Sequence, residues 1–363
     1  MALELIPTGF RFPPSSKKTF VVGIHTDADN TGLQCREITG GQLANFPVHE
    51  DRVANSSSRS YLELVNRLLD RIPLEPRKHK KNIVGIALGT PVPFNEEIEG
   101  IADFLHSHRD IPVFVHLNCA EGIAWGLTED GTYNITDDLN PPSSNRTSTD
   151  TFAVLAQGVS LEQSSANVNG DRVEVFSSEG ARAYLPISVD DKRIVQLGDY
   201  LGSKHKRPAQ ATDALSRSGI VDTYLFVSGK DKLPDSIANS DNPAAVIFRQ
   251  ALDGDNDCQE AVKLFVKTYG AHARNFTLAV SADTVFLAGD AYSQRELLTR
   301  DGVFTRAFLG EPGFEDSSLK SVRVGIVDPE SIGETGGTIY LRNLFHARGY
   351  IKESSTPKKR RRK

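Results

Sequence analysis

The sequence predicts an α/β protein, and two observations carry that prediction. Short continuous apolar runs of strand length alternate with longer segments whose apolar residues recur three and four apart, and at 363 residues the chain is long enough for two such units. The runs at 19–24 (TFVVGI) and 83–88 (IVGIAL) read as buried strands. Between them, SYLELVNRLLDRI over 60–72 gathers its apolar side chains on one helical stripe, and 96–106 reads as a second helix. The segment FVHLNCAEGIAWGL, 114–127, begins as an alternating strand and turns at Asn118-Cys119 into the start of a helix. Residues 128–171 are rich in Asn, Asp, Ser, Thr and Pro and read as an exposed connection, with a strand at 151–158 inside it. Further elements follow at 219–227 and 244–252, then a long helix at 258–272 and a strand at 284–288. The expected organisation is an N-terminal extension (1–18), a small α/β domain (19–118), a large one (119–345, with 128–150 an exposed connection) and a basic tail (346–363).

Composition narrows the function. With 39% apolar and 25% charged residues the chain can build a sizeable core. No apolar stretch approaches the roughly 20 residues of a membrane helix, and the N-terminus lacks a basic stretch followed by an apolar core, so neither membrane insertion nor secretion is expected. The three cysteines, Cys35, Cys119 and Cys258, have no Cys-x-x-Cys spacing, which suits a reducing compartment, and sequons such as the one at Asn134 should stay unused.

Charge is unevenly placed. The net charge is −5, yet Lys358, Lys359, Arg360, Arg361, Arg362 and Lys363 contribute six positive charges, so the remaining body stands at −11. An acidic body argues against direct nucleic-acid binding. The dense cluster after 354–357 (SSTP) reads as a nuclear localisation signal, hence a nuclear or nucleocytoplasmic protein with a nuclear import receptor as partner; the alternative is a solvated tail on a cytoplasmic protein.

Several segments, in order, resemble the bacterial-type glucokinase family. VFSSEGARAYLP (175–186) is similar to its Ser-Glu-Gly-Gly-His…Pro segment, and ALSRSGIVDTYLF (214–226) to its Leu-Ser-Gly-x-Gly segment. The stretch 257–290 resembles its long helix, Gly-x-x-x-x-Asn-x-x-Leu turn and Gly-Gly-Val-Tyr-Ile-Ala-Gly-Gly strand, and 118–119 its Asn-Asp-Phe-x-Ala motif. The likeness spans roughly 19–345 and is strongest over 175–345. It implies an actin-like, ribonuclease-H-like pair of α/β domains that bind a sugar and ATP.

The same resemblance implies functional positions, and this chain departs from them. The family's Asp, the base that takes the proton from the sugar 6-hydroxyl, is Cys119 beside a retained Asn118, and a thiol with an ordinary pKa of about 8.5 is a poor base at neutral pH. Glu179 stands at the first sugar-binding Glu, but the following His is Arg182, a donor only, and the second Glu is Thr212. Asn118, Glu179, Arg182 and Thr212 are thus the candidate sugar-side residues, with a Glu179–Arg182 ion pair filling the former pocket or Arg182 reading an anionic ligand. The first phosphate loop is replaced by IHTDADNTG, where Asp27 and Asp29 form an ordinary turn or hold a cation in a shifted register. Gly219 and Gly289 persist as nucleotide-side positions, but Asp290 puts a carboxylate where phosphate would pass.

Two functions follow. One is a glucokinase-like protein that has lost phosphotransfer and acts as a nuclear regulator, sensor or scaffold, with a sugar or anionic small molecule as ligand and no cofactor or metal. The other is an active glucokinase, with ATP and Mg²⁺, in which Glu121 or Asp27 replaces the missing base.

Overall fold

A computed structural model describes residues 2–13, 18–26, 30–39, 42–44, 47, 49–55, 60–72, 82–91, 95–129, 135–141, 151–169, 172–185, 192–310, 316–328 and 332–351. Asp27, Asp29, Asn134 and the basic cluster at 358–363 lie outside these. The chain divides into two compact units: the described residues of Ala2–Gly126 and Glu330–Lys363 form the first, those of Leu127–Pro329 the second.

The first unit contains β1 (Leu3–Leu5), β2 (Thr19–Thr26), β3 (Asn30–Thr39), β4 (Gln42–Leu43), β5 (His49–Ala54), α1 (Tyr61–Arg71), β6 (Ile83–Thr90), α2 (Glu96–Arg109) and β7 (Val113–Asn118), after which α3 (Cys119–Leu127) begins. The sheet order is β1-β7-β6-β2-β3-β4, with β5 also paired to β3. Strands β2, β6 and β7 run parallel. Every residue of β2 and β6 is buried, the state that continuous apolar runs anticipate for parallel strands covered on both faces. On one face Phe20, Val22 and Ile24 join a core with Leu64, Leu68 and Ile98 of α1 and α2.

The other face is closed by the last helix of the chain, Ile332–Ala347. Glycines allow its close approach: a Cβ at Gly23 would sit 1.8 Å from the Glu334 carbonyl oxygen, and one at Gly336 would sit 1.8 Å from that of Gly122. This helix therefore belongs with the first strands, not with the large segment ending at 345, and α3 lies almost wholly in the first unit rather than beyond a boundary at 118. The expected N-terminal extension is also a piece of this sheet. β1 pairs antiparallel with β7, Glu4 accepts from Tyr340 Oη at 2.6 Å and from Arg348 at 2.8 Å, and Phe10 and Phe12 pack on Phe345. Three residues of strand are too few to show a period in the sequence.

The second unit contains β8 (Ile135–Asn140), β9 (Thr151–Gln157), β10 (Leu161–Asn169), β11 (Arg172–Ser178), α4 (Lys192–His205), α5 (Ala211–Ala214), α6 (Arg217–Ser228), α7 (Asp235–Ala238), α8 (Pro243–Asp253), α9 (Asn256–Val280), β12 (Thr284–Gly289), α10 (Asp290–Ser293), α11 (Arg295–Thr299), α12 (Val303–Leu309) and β13 (Arg323–Val327); the chain then returns to the first unit as α13 (Ile332–Ala347). Its sheet runs β11-β10-β9-β12-β13-β8, with β12 parallel to β9 and β13. Phe265 and Tyr269 of α9 pack with Phe304 and Phe308 of α12 over Leu155, Val285 and Leu287. The connection expected at 128–150 includes an edge strand, β8, antiparallel to β13. Its adjacent aspartates hide it from propensity, but Asp138 binds Arg323 of the neighbouring strand in a two-pronged pair at 2.7 and 2.8 Å.

Candidate active site

In the first unit the parallel strands β2, β6 and β7 end at Thr26, Thr90 and Asn118, the edge at which open α/β sheets receive ligands. Asn118 is spent partly on local structure. Its Oδ1 accepts from Glu121 N at 2.7 Å, which caps the first turn of α3. Cys119 follows, 7% exposed, and its Sγ–H donates to the Thr26 carbonyl at 3.2 Å. In this contact the thiol is the donor, because a carbonyl oxygen only accepts. His116 is bonded through Nε2 to Thr90 Oγ1 at 2.9 Å, one strand over.

Glu121 is the carboxylate nearest in sequence. It is 5% exposed, burial pushes its pKa up from 4.5 to about 7, and its Oε2 has no hydrogen-bond partner among the described residues. That pKa would suit a general base, but two helical residues turn a side chain about 200° around the axis, so Glu121 faces away from the Cys119 side. Consistently, its charge is felt at Tyr340 of α13. Glu121 and Cys119 thus face different sides of α3, and Asp27 lies outside the described residues.

The second unit holds the remaining candidates. Glu179 follows β11 and Arg182 sits in the short helical turn Gly180–Arg182, with Nε 3.2 Å from Oε2. These side chains are 79% and 66% exposed, so the pair lies in solvent and fills no pocket, which corrects the expectation of a buried bridge. Thr212 comes near the same turn, since Tyr184 bridges Gln210 and Ala211 N donates to Ala183 O at 2.9 Å. Its hydroxyl accepts from Leu161 N at 3.2 Å, a backbone-satisfying role.

The two glycines are explained by packing. A Cβ at Gly219 would meet the Ala214 carbonyl carbon at 2.4 Å where α5 turns into α6, and Gly289, at φ +72°, has the Gln157 carbonyl oxygen 2.2 Å from where a Cβ would be. Asp290, expected to present a bare carboxylate, is instead held by Arg217: Nε donates to Oδ2 at 2.6 Å and Nη2 to Oδ1 at 2.9 Å. Arg217 is the residue that sequence reasoning missed. The available signal was a pair of complementary departures, a guanidinium entering the Leu-Ser-Gly segment and a carboxylate entering the glycine pair after β12.

Residues 102–344 match the sequence profile of the family described as Glucokinase. The chain belongs to the glucokinase family. No curated protein sequence matches it significantly. Among solved structures, a glucokinase from an Antarctic psychrotroph superposes with a TM-score of 0.67 at 17% identity, covering 90% of this chain and 100% of that one. The glucokinase of Balamuthia mandrillaris in complex with glucose gives 0.68 at 16% identity, over 91% and 95% of the two chains. A ROK family glucokinase from Streptomyces griseus in complex with glucose and AMPPNP gives 0.51 at 14%, over 89% and 98%. At such identities the likeness speaks for the fold, which is that of the actin-like sugar kinases. Beside the Gly289 turn the Arg217 guanidinium gives two of its N–H groups to the chain's own Asp290 carboxylate.

Proposed function

We propose that this glucokinase-family protein no longer transfers phosphate and works as a regulatory, sensing or scaffolding protein. The single observation that carries the reading is Cys119. It stands at the junction of β7 and α3, buried, with its proton committed to the Thr26 carbonyl, and the neighbouring carboxylate Glu121 lies on the other side of the helix. Losing a positioned base alone typically removes on the order of 10²–10⁴ in rate. On the sugar side Arg182 and Glu179 face solvent and Thr212 supports a backbone amide, so an anion meeting Arg182 suits the surface better than a buried neutral hexose. Restoring the base should not suffice: Cys119→Asp, assayed with ATP, Mg²⁺ and glucose, should remain at background, and substantial turnover by that variant would show that the rest of the machinery is intact.

The nuclear part of the proposal rests on the cluster Lys358–Lys359–Arg360–Arg361–Arg362–Lys363 and names an import receptor as partner. A chain ending at Ser355 should keep the melting temperature of the full protein and spread through the cytoplasm, while the seven residues from Pro357 fused to a fluorescent protein should draw it into the nucleus. Identical distribution of truncated and full-length chains would remove this part.

A further inference from the structure

Three turns of the second unit meet at one place. The β9–β10 hairpin tip contributes Gly158, whose carbonyl accepts from Arg217 N at 2.8 Å. The twelve-residue helix α6 contributes its head, capped by Ser216 Oγ, which accepts from Gly219 N at 3.1 Å. The end of β12 contributes Gly289, directly opposite Gln157 in the strand register, and then Asp290. A helix head, a positive-φ glycine turn and a forked guanidinium are the parts from which anion cradles are made. Here the fork is filled from within, by two parallel N–H···O bonds to Asp290, with the Arg217 and Asp290 side chains only 20% and 15% exposed.

Gln157 supplies a second, independent observation. Its side chain is 1% exposed, and neither its oxygen nor its nitrogen has a hydrogen-bond partner among the described residues. A buried amide left wholly unpaired is rare in a folded protein, and a water or another polar group from outside the chain would satisfy it. The polar cradle is thus still built, while the charge that would receive an anion is not free.

We propose that the Arg217–Asp290 ion pair is an internal stopper: the Asp290 carboxylate occupies the guanidinium fork that a phosphate group would otherwise take, and it makes the second unit refuse polyphosphates. The idea extends the non-catalytic reading given above, yet it can fail separately, because it concerns binding and not turnover. A carboxylate tethered one residue from the glycine turn is present at a high effective concentration, so a soluble anion must displace it as well as bind. Removing only its charge takes the competing carboxylate from the Arg217 fork beside an undamaged turn.

The probes are inorganic tripolyphosphate and AMPPNP with Mg²⁺, titrated into the full chain by calorimetry and followed by thermal shift. The unmodified protein should show no saturable binding of either. Asp290→Asn and Asp290→Ser should each bind tripolyphosphate at least tenfold more tightly than the unmodified chain, and Arg217→Met added to either should abolish the gain. Saturable binding by the unmodified protein would overturn the proposal, and that arm does not depend on any variant folding. Equally, a cooperatively melting Asp290→Asn or Asp290→Ser that gains no binding would overturn it. Glucose phosphorylation measured on the same samples keeps the two ideas apart: an unmodified chain that binds AMPPNP but shows no turnover loses the stopper and keeps the non-catalytic reading.

Discussion

The two units accommodate their polar side chains by opposite chemical routes. In the first, an uncharged group is used: the buried thiol of Cys119 donates inward to the Thr26 carbonyl. In the second, two charges answer one another, Arg217 against Asp290. The first change asks almost nothing of its surroundings, since a small buried thiol packs as an apolar group. The second is tolerated only as a pair, because a half-buried ion without its partner is costly. A fold thus keeps its scaffold through local loss in one place and mutual satisfaction in another.

The sharpest way to test that contrast is to break each change alone. Arg217→Met or Asp290→Leu should each destabilise by about 2–4 kcal/mol, and the double variant should recover most of the loss, giving a large coupling energy in a denaturant cycle. Cys119→Ala, with no charge to strand, should cost only about 1–2 kcal/mol for the lost atoms and the weak hydrogen bond. Equal losses for all three single variants would dissolve the distinction.

The buried titratable groups extend the comparison to pH. Glu121 in the first unit titrates near 7 instead of 4.5 because burial disfavours its charged form. The folded state then binds its proton more tightly, so the stability Glu121 contributes is complete below about 4.5 and is lost as pH rises through about 7. Glu121→Gln should therefore be more stable than the unmodified protein at pH 8, by about 2–3 kcal/mol, and differ little at pH 4.5. In the second unit His272 is pushed down from 6.5 to about 4 by burial, its Nε2 within 2.9 Å of Gln163 Oε1. Its contribution is complete above 6.5 and lost as pH falls toward about 4, so His272→Gln should flatten the acid limb alone. Unfolding curves from pH 4 to 8 would read both, and parallel profiles for all three proteins would contradict the assignments.

The smallest effect belongs to Arg182. Because it and Glu179 stand in solvent, Arg182→Ala should shift stability by less than about 0.5 kcal/mol, and a loss of several kcal/mol would mean the pair is buried after all.

Much of the scaffold was legible in the sequence. The runs at 19–24 and 83–88 became β2 and β6, the stripe at 60–72 became α1, and the long helix became α9, because burial on both faces or on one stripe writes itself into residue order. Pairings between distant segments left no local trace. β1 is three residues long, β8 carries two aspartates that the distant Arg323 and Arg295 make sense of, and the final helix joins the first strands through glycines whose partners are two to three hundred residues away. At the candidate site, the turn from strand to helix at Asn118-Cys119 could be read from the change of pattern there. The exposure of Glu179 and Arg182 could not, since spacing alone does not say on which side of a turn water lies. The role of Arg217 needed its partner in space.

The proposed loss of phosphate transfer is decided by turnover itself. The full-length protein in excess over glucose, with ATP and Mg²⁺, should form glucose 6-phosphate no faster than the same mixture without protein, read by a coupled dehydrogenase over hours. Turnover on the order of 1 s⁻¹ or faster, within the ordinary range of enzymes, would contradict it and place a working base somewhere other than Cys119.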